Sequence, residues 1–513
     1  MHHPKVPIVA YCQECWLSDK WDALSFGVEY DFSRSFFEQI RDLLLRVPRR
    51  MLFVVNSKNS PFTNYTRNAK NVYLSVSALE SENIFFSKNT LRTFWACDCF
   101  DINDSENCYS AIKGDKNYNS KFLFESRNCI DCAFLYDCVN CRGCILSSNL
   151  RNKEFYVRNR PCTKEEYQKV LTSLNLGSAL STKSAELELE RIKQAALHKY
   201  AQLVNAPNCS GDNIADSKNC HYCFDGRNDE NLKFGFRDPG VKDSMDVVNG
   251  GPQAELFYEF IGGGGMNSRS LMFTVNADVG LDDIRYTEYC SKSSHLFACI
   301  GLRSKQYCIL NKQYSKDEYE SLVPKIIAHM NTQPYIDQKG RIYRYGEFFP
   351  PELSPFAYNE TIAQEYFPLT KGEAEKQGYR WKDPDTKEYV ITILPTKLPD
   401  HVKDVKDDIL SQTIGCVHEG KCTHQCTTAF RIIPEELSFY RRMNLPLPRL
   451  CPNCRHYERL AQRNPLKLWH RQCMCDKTTH THKGHCLNEF ETSYSPERKE
   501  IVYCESCYNS EVV

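Results

Sequence analysis

The 513-residue chain lacks net charge: 65 Lys and Arg balance 65 Asp and Glu, so no global field draws it to a polyanion. It lacks any apolar run of the roughly 18 residues that a membrane-spanning helix needs, and MHHPKVPIVA has no apolar stretch of the secretory kind. A helical span and secretion are thereby set aside, and the cytoplasm is the expected compartment. The run IGGGG at 261–265 is not followed by G-K-[ST], which removes the phosphate-loop reading and leaves a flexible insertion. No constellation of nucleophile, base and orienting acid is visible, and no small-molecule cofactor is expected.

Cysteine, by contrast, is abundant. There are 27, an odd number, and many stand in C-x-x-C pairs, a pattern that favours metal binding and burial over disulfides. One pair is isolated. Cys12 and Cys15 in YCQEC supply two of four tetrahedral ligands, yet the next cysteine is Cys97.

Self-similarity organises the middle of the chain. LRNKEFYVRNRPCTKEEYQKVL from Leu150 aligns without a gap on LRSKQYCILNKQYSKDEYESLV from Leu302, an offset of 152 residues. VVNSKNSPFTNYTRNAKNVY from Val54 resembles LVNAPNCSGDNIADSKNCHY from Leu203 at an offset of 149. Residues 48–171 and 197–323 therefore read as two copies of one domain. Inside the first copy Asn71, Asn83, Asn107, Asn117, Asn128 and Asn140 each precede an apolar residue at steps of about twelve, with Trp95 filling the missing slot. Segments this short, rich in Val, Ile, Phe, Tyr and Cys, suit stacked strands and turns. Each step is one narrow coil or half of a wider one. The expected fold class is mainly β: two tandem β-solenoid (β-helix-like) repeat domains with capping helices, plus C-terminal zinc ribbons and a partial N-terminal ribbon.

The repeat also interprets its cysteines. Relative to each Asn, the next position holds Val72, Ile84, Cys108, Tyr118, Cys129, Cys141 and, in the second copy, Cys220; the fourth holds Ser75, Ser87, Ala111, Lys121, Cys132, Cys144 and Cys223. Cysteine alternates with Val, Ile, Ser and Ala, as a small buried residue would. That reading is preferred to a metal cluster of Cys129, Cys132, Cys138, Cys141 and Cys144. Each copy ends at a capping box, Thr163 with Glu166 and Ser315 with Glu318, which predicts a helix over each open end. FFEQIRDLLLRVPR and the periodic run Ala185, Leu189, Ile192, Ala196 predict helices leading into each copy. The divisions are 1–22 (partial ribbon), 23–47 (helical connector), 48–171 (first copy), 172–196 (helical connector), 197–323 (second copy), 324–415 (an aromatic-rich connector packed on the second copy or a partner), 416–460 (ribbon) and 461–513 (ribbon).

In KCTHQCTTAFRIIPEELSFYRRMNLPLPRLCPNCRHYERL, Cys422 with Cys426 and Cys451 with Cys454 have zinc-ribbon spacing. Phe439, Tyr440, Pro448, Cys451, Pro452, Cys454 and Arg455 resemble the probable zinc-ribbon domain family over residues 422–456. The first knuckle departs from that pattern, with three residues between its cysteines, which leaves Cys416 as an alternative ligand. In the last segment Cys504 and Cys507 pair with Cys475 and Cys486, the latter because CLNEF matches CTTAF; Cys473, His480, His482 and His485 are the alternatives. PKVPIVAYCQECWLSD aligns without a gap on PERKEIVYCESCYNSE from Pro496, so Cys12 and Cys15 match the second knuckle of a ribbon whose first half would lie upstream. A native form beginning further upstream is the expected explanation; His2 and His3, or a partner's ligands, are the alternatives. Solenoid copies flanked by ribbons resemble a group of uncharacterised multi-ribbon bacterial proteins, which implies fold and not activity. Two zinc ions are expected, with a third partial site at the amino terminus.

Residues 441–477 carry a charge of +7 and leave −7 elsewhere. Arg441, Arg442, Arg455, Arg459, Arg463, Lys467 and Arg471, with Trp469 as a stacking platform, form a candidate nucleic-acid surface. The preceding-proline rule ends the helix HYERLAQRN before Pro465, and Arg455, Arg459 and Arg463 then share one face. The expected function is a zinc-binding scaffold with protein partners, and nucleic acid as a further candidate partner. The alternative is a solenoid enzyme acting on carbohydrate through Asp98, Asp101 and Asp104.

Overall fold

The computed structural model describes residues 8–383 and 389–513, so His2 and His3 lie outside the described residues. Strands dominate, and most of those between residues 70 and 157 are four residues long. In the first copy they pair in parallel at a constant register of twelve: Val72, Ile84, Ala96, Cys108 and Ser120 form one column, and Val76, Lys88, Phe100 and Ile112 another. Twelve residues therefore advance the chain by one layer containing two strands. Of the two step sizes compatible with the sequence, the narrow one is present.

The turn chemistry explains the asparagines. Left-handed φ recurs at every third residue, as at Asn71, Leu74, Ser77, Glu80 and Asn83, with φ of 54°, 44°, 59°, 51° and 59°. Asn and Asp tolerate this region better than other non-glycine residues. The asparagines also bond from layer to layer: the Asn59 Nδ2 donates to Asn71 Oδ1 at 2.9 Å, Asn71 to Asn83 at 2.9 Å, and Asn140 to Asn152 at 2.6 Å. Other residues bear the same φ at a cost of about 1–2 kcal/mol each. Stacking offsets part of this where the corners are aromatic, as for Phe122 and Phe134, whose rings lie 4.5 Å apart and nearly parallel.

The second copy keeps the register of twelve at Glu230–Lys242, Asp282–Ser294 and Leu296–Cys308, but pairs Val241 with Ala254 and Ala254 with Ser268. These layers are one and two residues longer. The expected insertion at IGGGG is this lengthening, and it is strand-paired, Gly250 lying beside Gly264. Gly262 to Gly265 all have positive φ, and a Cβ on Gly263 would sit 2.0 Å from the Ala277 carbonyl oxygen.

Each region of parallel strands buries a core of apolar side chains, including Val72, Ile84, Ala96, Cys108 and Cys129 in the first, and Leu232, Val247, Leu271 and Leu296 in the second. Both expected entry helices are present, Phe36–Arg46 and Ala179–Ala195. Both capping boxes start helices, Lys164–Ser173 and Lys316–Thr332. The latter runs on past the expected boundary at Pro324, because Val323, Ile326 and Met330 continue one buried face on either side of the proline. Downstream, Tyr345, Phe348 and Phe349 pack against the second copy, whereas Leu398, Val402, Val405 and Ile409 join the core around the first copy and residues 416–460.

The start of each copy packs on the other copy. Arg49 pairs with Glu288 at 3.0 Å, and the Tyr136 hydroxyl bonds with His198 Nδ1 at 2.7 Å. These residues correspond through the offsets of 149 and 152 found in the sequence. No helix among the described residues is long and apolar enough to cross a membrane.

Candidate metal centres

In each C-terminal segment the second C-x-x-C begins a helix. Cys451 caps Pro452–Leu460 and Cys504 caps Glu505–Val512, so the first turn brings the second sulfur of each pair back beside the first. A short strand or loop supplies the rest. The Cys416 N–H donates to the Thr428 carbonyl at 2.8 Å and the Cys473 N–H to the Asn488 carbonyl at 2.9 Å, which holds Cys416 beside Cys426 and Cys473 beside Cys486.

Four groups of ligand atoms result, each drawn together within 4.8 Å: Cys416, Cys426, Cys451 and Cys454; His418, Cys422, His424 and Cys454; Cys473, Cys486, Cys504 and Cys507; and Cys475, His480, His482 and Cys507. Sulfur separations are 3.8 Å for Cys416–Cys454, 3.9 Å for Cys426–Cys451 and 4.0 Å for Cys486–Cys504. A tetrahedral ion with Zn–S bonds of about 2.3 Å has an S–S edge of about 3.8 Å. The donor sets and spacings thus fit zinc.

Two expected ligands take different places. In the all-cysteine groups Cys416 stands where Cys422 was expected, and Cys473 where Cys475 was. The reason is the peptide N–H of each second knuckle: Cys451 N–H donates to Cys416 Sγ at 3.3 Å and Cys504 N–H to Cys473 Sγ at 3.2 Å, locking those sulfurs under the helix start. Cys422 and Cys475 fall in the mixed groups with the histidines. His485 joins neither, being exposed and paired with Asp476 at 2.6 Å. The signal that sequence reading missed is the alternation of ligands, C-x-H-x3-C-x-H-x-C against C-x-C-x4-H-x-H-x3-C.

Cys12 and Cys15 sit on the helix Gln13–Leu17, capped by Cys12, and belong to none of the groups found among the described residues. Their strand is nevertheless placed like that of the last segment. Ala10–Tyr11 pairs in parallel with Arg49–Arg50 at the start of the first copy, and Ile501–Tyr503 pairs in parallel with Leu197–Lys199 at the start of the second.

Most cysteines of the first repeat region have sulfurs that meet backbone carbonyls, with Cys97, beside Asp98 and Tyr440, among the exceptions. Cys129 Sγ donates to the Arg127 carbonyl at 3.4 Å and lies 3.6 Å from that of Cys138; the Ser120 hydroxyl makes the same two contacts, with Tyr118 at 2.9 Å and Cys129 at 3.5 Å. Thiol and hydroxyl fill one role.

Part of the basic segment is enclosed, while Arg441, Arg442 and Lys467 stay exposed. Arg455 and Arg459 share a helix face as expected, but that face meets the first copy rather than solvent: both are buried and ion-paired with Asp98, Arg459 at 2.7 Å. The reason is the carboxylate itself, which sits 2% exposed at a corner of the repeat and requires cationic partners. Arg463 lies beyond the helix, over the Phe100 and Tyr366 rings. Arg442 lies 3.8 Å above the Trp95 ring, Arg441 pairs with Asp407 at 2.7 Å, and Arg471 donates to the Ser495 carbonyl at 3.2 Å. Lys467 covers the half-buried Trp469 ring at 5.0 Å. The other two candidate acids are likewise paired, Asp101 with Arg237 at 2.7 Å and Asp104 with Arg92 at 2.6 Å.

Against known proteins, the chain matches no family model and no curated sequence.

Proposed function

We propose that the chain is a zinc-dependent interaction scaffold in which two β-solenoids, with coils of twelve residues in the first and twelve to fourteen in the second, are held by zinc ribbons packed against them. The observation that carries this reading is the continuity of the ribbon and repeat backbones. The Tyr200 N–H donates to the Tyr503 carbonyl at 3.0 Å, so a strand of the last ribbon is hydrogen-bonded to the start of the second copy, and the Met51 N–H donates to the Tyr11 carbonyl at 2.9 Å, so the amino-terminal strand meets the start of the first in the same way. An open solenoid end exposes unpaired strand edges, and a short strand pair standing beside it limits access to that edge. Sites whose four ligands are all protein atoms leave no position for water or substrate, which favours a structural role for the metal. The pairing of Asp98, Asp101 and Asp104 with arginines counts against the carbohydrate enzyme. Nucleic-acid binding would have to rely on Lys467, Trp469 and neighbouring side chains, since Arg455 and Arg459 neutralise Asp98.

Protein partners would meet the groove between the helix Ala179–Ala195 and the ribbon, where Leu180 and Leu187 are 77% and 53% exposed. The scaffold reading is tested by removing metal from the full chain with a chelator and following unfolding of the repeats. Coupled folding lowers their melting temperature by ~10 °C or more. An unchanged transition would mean that the ribbons do not hold the solenoids, and the reading would fail.

A further inference from the structure

We infer that each ribbon binds two zinc ions joined by one thiolate, with Cys454 bridging in the first and Cys507 in the second. The inference rests on the zinc reading above and goes beyond it in number and arrangement. Its starting point is that the four ligand groups are not four separate tetrads: Cys454 belongs to both groups of one ribbon and Cys507 to both groups of the other.

Distance places the shared sulfur at a common vertex. Cys454 Sγ is 3.8 Å from Cys416 Sγ on one side and 3.7 Å from Cys422 Sγ on the other. Both match the edge of about 3.8 Å that a tetrahedral zinc site requires. In the last ribbon Cys507 Sγ is 3.4 Å from His482 Nε2, and Cys475 Sγ is 3.2 Å from His480 Nδ1, close to the S–N edge of about 3.5 Å for the same geometry. A thiolate has lone pairs enough for two metals, whereas a single ion cannot take seven donors at these lengths.

The histidines are prepared as ligands. His480 turns Nδ1 to the cluster while Nε2 meets the Glu511 carboxylate at 2.9 Å, and His482 turns Nε2 inward while Nδ1 meets the Gly484 carbonyl at 2.8 Å. Such outer partners fix the tautomer of a metal-bound imidazole. In the other ribbon His418 Nδ1 and His424 Nδ1 are buried with no hydrogen-bond partner, an arrangement that is costly unless a metal takes the lone pair.

The two ribbons agree although their sequences hardly do. Each contributes five cysteines and two histidines in the same spatial order, with His418 replaced by Cys475 and Cys422 by His480. Exchange of His for Cys at matching vertices keeps the ligand total of five thiolates and two imidazoles. Two Zn2+ ions against five thiolates leave each cluster one negative charge. The amino-terminal pair Cys12 and Cys15 lacks the companions needed for either ion among the described residues.

The test counts metal in the full chain and then asks whether the ions share a ligand. Native mass spectrometry of the zinc-loaded protein is expected to give four ions. The double variant His424→Ala, His482→Ala is expected to give two, with the cysteine tetrads still filled. Because ligand variants can misfold, the wild-type chain is also loaded with cadmium-113, where two ions on one sulfur split each other's resonances. Four ions with splitting within two pairs support the inference. Two ions in the wild type, or four without splitting, overturn it while leaving the zinc reading intact; no bound metal would overturn both.

Discussion

The repeats and the ribbons use the same C-x-x-C spacing for opposite ends. Cys129 and Cys132, or Cys141 and Cys144, occupy successive sides of a coil, since the chain turns at every third residue, and each sulfur then faces the layer above or below. Cys451 and Cys454, or Cys504 and Cys507, span the first turn of a helix, which folds both sulfurs toward one point. The motif therefore specifies a separation along the chain, and the backbone on which it is laid decides whether it becomes packing or a metal site.

The largest expected effect breaks that comparison directly. Cys451→Ser should release metal from its ribbon and destabilise it by several kcal/mol, since structural zinc in small domains supplies about 10 kcal/mol or more of folding energy. The double variant Cys129→Val, Cys141→Val should keep every metal ion and cost only about 1 kcal/mol per site, with weak thiol contacts exchanged for a methyl group. Metal content measured beside denaturant unfolding distinguishes them. Loss of metal from the repeat variant would erase the difference between the two regions.

A second comparison sets neighbouring carboxylates of the first copy against each other. Asp98→Ala strips the one carboxylate that pairs with Arg459 among the described residues and should cost about 3–5 kcal/mol, because it leaves that buried guanidinium uncompensated while Arg455 keeps only Glu436 at 3.6 Å. Asp104→Ala, six residues on, should cost less than about 1 kcal/mol, since its arginine is 50% exposed. Equal costs in urea unfolding would show that the ribbon is not anchored through Asp98.

The smallest effect separates the buried interiors of the two strand regions. In the first copy Asn117 Oδ1 accepts from the Cys129 N–H at 3.0 Å and its Nδ2 donates to the Ser126 carbonyl at 2.9 Å. In the second, Asp229 Oδ1 accepts from the Val241 N–H at 2.9 Å, but its buried Oδ2 has no partner. Burial pushes the Asp229 carboxyl up to about 7, against backbone donors that pull it down. A carboxyl whose folded pKa lies above its unfolded value contributes stability that is complete at about pH 4 and is lost as pH rises through about 7. Asp229→Asn, copying Asn117, should flatten this dependence and raise stability at pH 8 by about 1–2 kcal/mol. An unaltered pH profile would place the titration elsewhere.

Much of this was legible in sequence. The twelve-residue register and the capping boxes were readable because left-handed corners select Asn and Asp and because Thr or Ser three residues before Glu marks a helix start. The matching of Cys12 and Cys15 to Cys504 and Cys507 was readable too, and their strands do take equivalent places against the two copies. Ligand membership was less so. Cys416 and Cys422 are both near enough in sequence to serve, and only the N–H of Cys451 and the strand pairing around Thr428 choose Cys416 for the all-cysteine group.

Local chemistry was thus set by the sequence itself: which residues turn, which stack, which carry thiols, and at what period. Tertiary structure alone decided which charges meet. The +7 segment looked free because Asp98, the carboxylate that its two buried arginines share, lies far away in sequence, 357 positions from Arg455. Period and turn preference are properties of neighbouring residues and can be read along the chain, whereas charge compensation depends on the face one domain presents to another and appears only once both have folded.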